Sequence, residues 1–203
     1  MHRRIPNILT ILRILLALSG AAALWTSYDW SQTGLVPLWL GDPMVAARSL
    51  AAFALIAFII AAATDWLDGW LARRWEAHSS LGEMLDPIAD KLLVDAYLIV
   101  YMLILGTPVD IAVPVFAIVA RDAIMTGMRL LPGADSAGSG AATLAVSPAA
   151  KLKTALAMIV AGFPLIAQPL GWQAHDFVLT GWILVLWITA ALSLLTAWNY
   201  FRK

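Results

Sequence analysis

The strongest constraint on this chain is the recurrence of uncharged apolar runs along its whole length. They are Ile14 to Tyr28, Ser49 to Thr64, Ala96 to Val109, Ile111 to Ala120, Ala155 to Leu170 and Phe177 to Phe201. A water-soluble domain has no way to hide so much apolar chain. Only 13% of the 203 residues are charged, where a soluble domain carries about 25%. Most of the runs fall short of the roughly 20 residues that a spanning helix needs, so several spans must hold charged residues inside their ends. The reading is an all-α integral membrane protein of six transmembrane helices, approximately Ile8 to Trp25, Ala46 to Trp66, Asp90 to Gly106, Ile111 to Leu131, Leu152 to Pro169 and Phe177 to Trp198, forming one membrane domain over residues 1–203.

Basic residues orient these spans, because Lys and Arg in short connections are retained on the cytoplasmic side. Arg3 and Arg4 precede the first span, Arg73, Arg74 and Lys91 follow the second, Arg129, Lys151 and Lys153 flank the connection after the fourth, and Arg202 and Lys203 end the chain. The intervening connections, Ser27 to Pro43, Thr107 to Asp110 and Gln168 to Asp176, hold no Lys or Arg. Both termini are therefore expected in the cytoplasm, with the protein in a bacterial inner membrane. Trp25, Trp30, Trp39 and Trp172 are expected at the far interface, and Trp66, Trp70, Trp75 and Trp198 at the cytoplasmic one. A cleaved signal peptide is the competing reading of the amino terminus, but Arg13 interrupts its apolar stretch and no soluble domain follows. Pro6 and Asn7 suit a break and a helix cap before Ile8, with Met1 to Ile5 along the membrane surface. Pro132 to Ser147, rich in Gly, Ala and Ser, reads as a mobile loop.

The 13 basic and 13 acidic residues cancel, so no net field attracts nucleic acid, and the absence of cysteine excludes a thiolate metal site or a cysteine nucleophile. Charge must then act locally, and it is densest between Thr64 and Asp95, written TDWLDGWLARRWEAHSSLGEMLDPIADKLLVD. Asp65 and Asp68 are three apart and Asp86 and Asp90 four apart, so on helices each pair projects from one face. A charge deep in a span costs on the order of 3 kcal/mol, so such residues face a polar cavity and a partner. Oxygen ligands without His or Cys select Mg²⁺, Mn²⁺ or Ca²⁺ over zinc. Four carboxylates suffice for two ions, the arrangement that clamps the attacking and leaving oxygens of a phosphoryl group. Arg73 beside them can hold a phosphate bidentately, and Gly69 and Gly82 leave space for a bulky ligand against the backbone. The competing readings are solvated loop acids, with Asp86 capping a helix that starts at Pro87, and a proton or ion path in a six-span transporter, which has no use for the glycines.

Asp65, Asp68, Gly69, Ala72, Arg73, Gly82, Asp86 and Asp90 reproduce the spacing D-x2-D-G-x2-A-R-x8-G-x3-D-x3-D. This pattern resembles the signature of the CDP-alcohol phosphatidyltransferases, six-span membrane enzymes, typically homodimers, that move a phosphatidyl or similar group from a CDP-linked donor to an alcohol and release CMP. The resemblance implies that Asp65, Asp68 and Asp86 bind the divalent ions, Mg²⁺ or Mn²⁺, and that Asp90 reaches the second ion and takes the proton of the attacking hydroxyl. It also implies that Gly69 and Gly82 admit the cytidine, and that Arg73 holds the diphosphate of the donor, CDP-diacylglycerol.

Outside the signature, IPNILTILRI at Ile5 to Ile14 and the placement of Arg121, Arg129, Lys151, Lys153 and Thr154 resemble the phosphatidylglycerophosphate-forming branch of that family, whose acceptor is glycerol 3-phosphate. An acceptor that carries a phosphate needs a second cationic pocket, for which Arg121, Arg129, Lys151 and Lys153 are the available donors, and Arg13 can join either phosphate pocket. Lys151 and Lys153 also admit a plainer use, in topology or against anionic headgroups. Two departures, Asp122 where Glu is commoner and Ala150 where Gly is commoner, leave the cardiolipin-forming branch, with phosphatidylglycerol as acceptor, as the alternative. His2, His78 and His175 read as solvated surface residues.

Overall fold

The computed structural model describes residues 5–75, 80–130 and 148–201. Six long helices account for nearly all of them: α1 (Ile5–Thr33), α2 (Pro43–Trp75), α3 (Ser80–Ile104), α4 (Val109–Leu130), α5 (Pro148–Ala167) and α6 (Asp176–Phe201). Single 3₁₀ turns cover Leu38–Leu40, Gln168–Leu170 and Trp172–Ala174, and no strand occurs among the described residues. The all-α membrane fold expected from the apolar runs is therefore present. Among the described residues, five helices are long and apolar enough to cross a membrane, over Ile8–Thr33, Pro43–Asp65, Val109–Met128, Leu152–Leu170 and Asp176–Trp198. The remaining helix, α3, is 25 residues long and holds Glu83, Asp86, Asp90, Lys91 and Asp95 in its first two thirds.

Several helices run further than the apolar runs imply. α1 starts at Ile5, so Pro6 and Asn7 lie inside its first turn and make no break. Proline is tolerated there because the amides of the first turn have no partner within the helix. α2 extends over 33 residues, about 50 Å at the helical rise, and continues past Asp65, the first acid of the signature. α3 begins at Ser80, so Asp86 lies within a helix and does not cap one that begins at Pro87. Pro132 to Ser147, expected as a mobile loop, lies outside the described residues, as do His2 and His78.

The chain divides into two compact units, Met1–Gly106 and Thr107–Lys203. In the first, α1 packs along both α2 and α3, and its contact line is made of small side chains. Ala17, Ala21 and Ala23 on α1 and Ala47, Ala54, Ala57 and Ala61 on α2 are buried. Small residues let helix backbones approach closely where lipid offers no hydrophobic reward for association. Gly20 is the tightest point: a Cβ added there would overlap the hydroxyl of Tyr97 from α3. That hydroxyl donates to the Ala54 carbonyl at 2.7 Å, and the Tyr97 ring meets Phe58 edge-on at 5.1 Å. Toward the other end, Ser27 donates to the Ala47 carbonyl at 2.7 Å. The turn from α1 into α2 is closed by Gly34 in the left-handed region (φ 67°) and by Asp42, whose carboxylate accepts from the Met44 amide at 2.7 Å as an N-cap.

In the second unit α6 packs against both α4 and α5. The Trp182 indole donates to the Val160 carbonyl of α5 at 2.9 Å, and the Trp187 indole donates to the Asp110 carbonyl at the start of α4 at 2.8 Å. Trp172, expected at the lipid interface, is instead buried. Its ring stands edge-on to Phe163 at 5.8 Å and to Trp182 at 5.4 Å. The 3₁₀ turn that carries it, entered through Gly171 at φ 61°, folds the ring back over the ends of α5 and α6. By contrast Trp25 and Trp39 are exposed, and so are Leu15, Ile59, Phe116, Ile166 and Phe177. Many large apolar side chains thus face outward, as a lipid solvent permits, while others such as Leu24, Leu93, Ile118 and Leu186 are buried between helices.

Candidate active site

The acids of the signature are distributed over two helices of the first unit. Asp65 and Asp68 sit in α2, with Gly69, Ala72 and Arg73 in the turns after them, while Gly82, Asp86 and Asp90 sit in α3. Helical spacing therefore places Asp65 with Asp68, and Asp86 with Asp90, on a common side of each helix. Of these positions the side chain of Asp65 is described. Asp68, Gly69, Ala72, Arg73, Gly82, Asp86 and Asp90 lie outside the residues whose side chains are described, and so do Arg129 and Lys151. Among the described residues no group of three or more acids or histidines is gathered for a metal ion.

Asp65 is held by Arg13. The Arg13 guanidinium donates to Asp65 Oδ1 at 2.8 Å, with 3% of the Arg13 side chain exposed against 35% of the Asp65 side chain. Arg13 lies in the third turn of α1, flanked by the exposed Leu12 and half-exposed Ile14, so the pair ties α1 to the acid-bearing end of α2. Burying a guanidinium costs several kcal/mol unless its partner is well placed. Asp65 thus meets this cation while 35% of its side-chain surface stays exposed.

A second polar centre lies in the other unit, at the end where α4 leaves, α5 enters and α6 finishes. Asp122 of α4 is buried, and its Oδ1 accepts from Arg121 Nη1 at 2.6 Å and from Lys153 Nζ of α5 at 3.0 Å. Arg121 also donates to the Thr196 hydroxyl of α6 at 3.3 Å. Two residues expected in the acceptor-phosphate pocket, Arg121 and Lys153, are thus brought to one atom, while Arg13 is placed with the acidic signature. Asp122 and Thr196 were not singled out as functional by sequence alone. Asp122 carried a signal, an acid next to Arg121 in a segment otherwise apolar. Thr196 carried none, because a lone hydroxyl in an apolar helix usually bonds its own backbone, as Thr196 also does with the Ser193 carbonyl at 2.8 Å.

The chain matches the family described as CDP-alcohol phosphatidyltransferase over residues 3–195. It belongs to that family. Among the family's characterised members, this phosphatidyltransferase is 31% identical to the CDP-diacylglycerol–glycerol-3-phosphate 3-phosphatidyltransferase of Cereibacter sphaeroides, over all of this chain and 96% of that one. It is 34% identical to the enzyme of the same name from Bacillus subtilis, over 98% of this chain and 94% of that one. It is also 33% identical to the cardiolipin synthase (CMP-forming) of Oryza sativa subsp. japonica, over 72% of this chain and 46% of that one. The family match spans both units, so the acidic helices and the Arg121–Asp122–Lys153 centre belong to one phosphatidyltransferase sequence. Chemically, the first is an oxygen-donor set suited to hard cations, and the second is a buried cationic centre suited to an anion.

Proposed function

We propose that this phosphatidyltransferase moves the phosphatidyl group of CDP-diacylglycerol to sn-glycerol 3-phosphate, giving phosphatidylglycerophosphate and CMP, as one catalytic domain in a bacterial inner membrane with its site and both termini on the cytoplasmic side. The observation that carries the choice of acceptor is the buried meeting of Arg121 and Lys153 on Asp122, two cations for one acid. A neutral alcohol has no use for such a centre, whereas an acceptor phosphate does. Arg129 and Lys151 complete the acceptor pocket in this reading.

The donor half of the chemistry falls to α2 and α3. Four carboxylates without His or Cys form a hard-oxygen set, and the partial exposure of Asp65 fits that use. Asp65, Asp68, Asp86 and Asp90 would hold two divalent cations, Mg²⁺ or Mn²⁺. When bound, such ions supply positive charge beside the oxygens of the diphosphate. Arg73 grips that diphosphate, and Gly69 and Gly82 admit the cytidine. Arg13 fixes the direction of the Asp65 carboxylate. Asp90 takes the proton from the acceptor hydroxyl as its oxygen bonds the phosphorus that bears the diacylglycerol, and the bond from that phosphorus to the bridging oxygen breaks, so that CMP leaves with the electron pair. The protein works as a homodimer in this reading.

Purified protein in mixed micelles with CDP-diacylglycerol tests the proposal through release of CMP. Release that needs Mg²⁺ or Mn²⁺ and follows glycerol 3-phosphate supports it. Turnover with phosphatidylglycerol in place of glycerol 3-phosphate transfers the assignment to cardiolipin synthesis, the reading favoured by the rice relative and by aspartate at position 122 where glutamate is commoner. Ion flux without CMP release overturns the enzymatic reading altogether.

A further inference from the structure

The acid at the acceptor centre is the unexplained member of that centre. Adjacent residues on a helix diverge by about 100° and do not normally face each other. Arg121 nevertheless turns back to Asp122 at 2.6 Å, and its other end is steadied by Thr196 of α6. Lys153 arrives from α5 at the same carboxylate oxygen, at 3.0 Å. The two cationic nitrogens are therefore no further apart than those two lengths laid end to end, close enough for a single phosphate to span. Left without an anion, two cations this close in a buried place would repel each other and separate. Arg121 Nε, in addition, is buried with no hydrogen-bond partner among the described residues, a donor whose desolvation is compensated once an anion reaches it.

We infer that Asp122 is a positioning residue: its carboxylate stands in as an internal anion that holds Arg121 and Lys153 together across α4 and α5, so that the acceptor phosphate meets both cations at once. This rests on the acceptor reading above. Asp122 itself does not touch the acceptor. It sets the two groups that do, and it shifts some of the cost of ordering them from binding to folding. Among phosphate-bearing acceptors, the pair so aligned suits a terminal monoester, which presents several oxygens to one centre.

The measurement is CMP release by the full-length protein as a function of each substrate. Asp122→Asn keeps shape and one acceptor oxygen but removes the charge. It should raise the KM for glycerol 3-phosphate about tenfold or more, the scale of one charge-assisted hydrogen bond. The KM for CDP-diacylglycerol should stay within about twofold, and kcat at saturating acceptor within about threefold. Asp122→Glu should restore the acceptor KM to within about threefold of the original. A structural role alone would instead lower the amount of active protein with both KM values unchanged, and that result overturns the proposal. If Asp122→Asn does not fold, the comparison is made in a Lys153→Met background, where one charge has already gone. There Asp122→Asn should raise the acceptor KM a further threefold or so through Arg121, and no further rise overturns the proposal. Arg121→Ala and Lys153→Ala separate the two levels of inference. An unchanged acceptor KM in both removes the acceptor pocket and the role of Asp122 with it, whereas a rise in both with none in Asp122→Asn removes the positioning role alone.

Discussion

Gly20→Ala should be among the most damaging single-methyl changes in this protein, although alanine is the better helix former. The new Cβ would overlap the Tyr97 hydroxyl oxygen and would stand 3.0 Å from Ala57 Cβ and 3.1 Å from Tyr97 Cζ. The tyrosine ring is buried and held edge-on by Phe58, so the hydroxyl has nowhere to go without breaking its 2.7 Å bond to the Ala54 carbonyl. Overpacking a closed interface costs about 1–3 kcal/mol. A buried hydroxyl stripped of its partner costs about 1–3 kcal/mol more. Against these stands a gain of about 1 kcal/mol from replacing glycine in a helix. The net expectation is a loss of about 3 kcal/mol, or a fall of roughly 6–12 °C in the unfolding midpoint in detergent at this chain length. Tyr97→Phe alone removes only the hydroxyl and should cost about 1 kcal/mol, since the Ala54 carbonyl keeps its place in the α2 ladder. In the double variant the overlapping atom is absent, so Gly20→Ala should add little to Tyr97→Phe, giving a coupling of about 2 kcal/mol. Equal or greater stability of Gly20→Ala, or simple additivity of the two changes, would refute the packing argument.

Asp90→Asn should keep the fold and donor binding while cutting turnover by about two to four orders of magnitude, the range for a lost general base. An active Asn variant, measured by CMP release, removes Asp90 from that role. Arg13→Met keeps the bulk of the side chain but removes the guanidinium from Asp65, and should lower stability by about 1–3 kcal/mol. The same variant should reduce kcat/KM about tenfold, and thermal unfolding together with CMP release reads both; full activity would show that the orientation of Asp65 does not matter. Trp182→Phe loses the indole bond to the Val160 carbonyl and part of the edge packing on Trp172. A fall in stability of about 1–2 kcal/mol is expected, and an unchanged unfolding midpoint would contradict it. Chelation of divalent ions should abolish CMP release, and added Mg²⁺ or Mn²⁺ should restore it; activity that survives chelation would count against the carboxylate site.

Much of the architecture was legible from apolar runs and charge placement, because both are local properties of the chain. The spans at Ile8, Pro43, Val109, Leu152 and Asp176 lie close to where the uncharged runs put them. The misses came from reading end signals too literally. Pro6 and Asn7 suggested a break that α1 ignores, and Asp86 with Pro87 suggested a helix start that α3 passes through six residues after it begins. Trp172 suggested an interfacial anchor, but the turn at Gly171 folds it inward against Phe163 and Trp182. In each case a residue type common at a boundary was used inside a structure whose neighbours compensate for it.

For the site, spacing alone already placed two acid pairs on helix faces, and the family resemblance grouped Arg121 and Lys153 with Arg129 and Lys151 as phosphate donors. Pairing across helices was another matter. Arg13 and Asp65 are separated by 52 positions and Arg121 and Thr196 by 75, and nothing in either neighbourhood names the other. The reason lies in the solvent. In lipid every face of a spanning helix is apolar, so the periodicity that marks a buried face in a soluble protein is absent. The amino-acid order therefore determined that the chain is a set of membrane helices bearing a phosphatidyltransferase signature. Only the tertiary structure decided which small residues touch and which buried cation meets which acid, since close packing and ion pairing depend on distances that the order of residues does not contain.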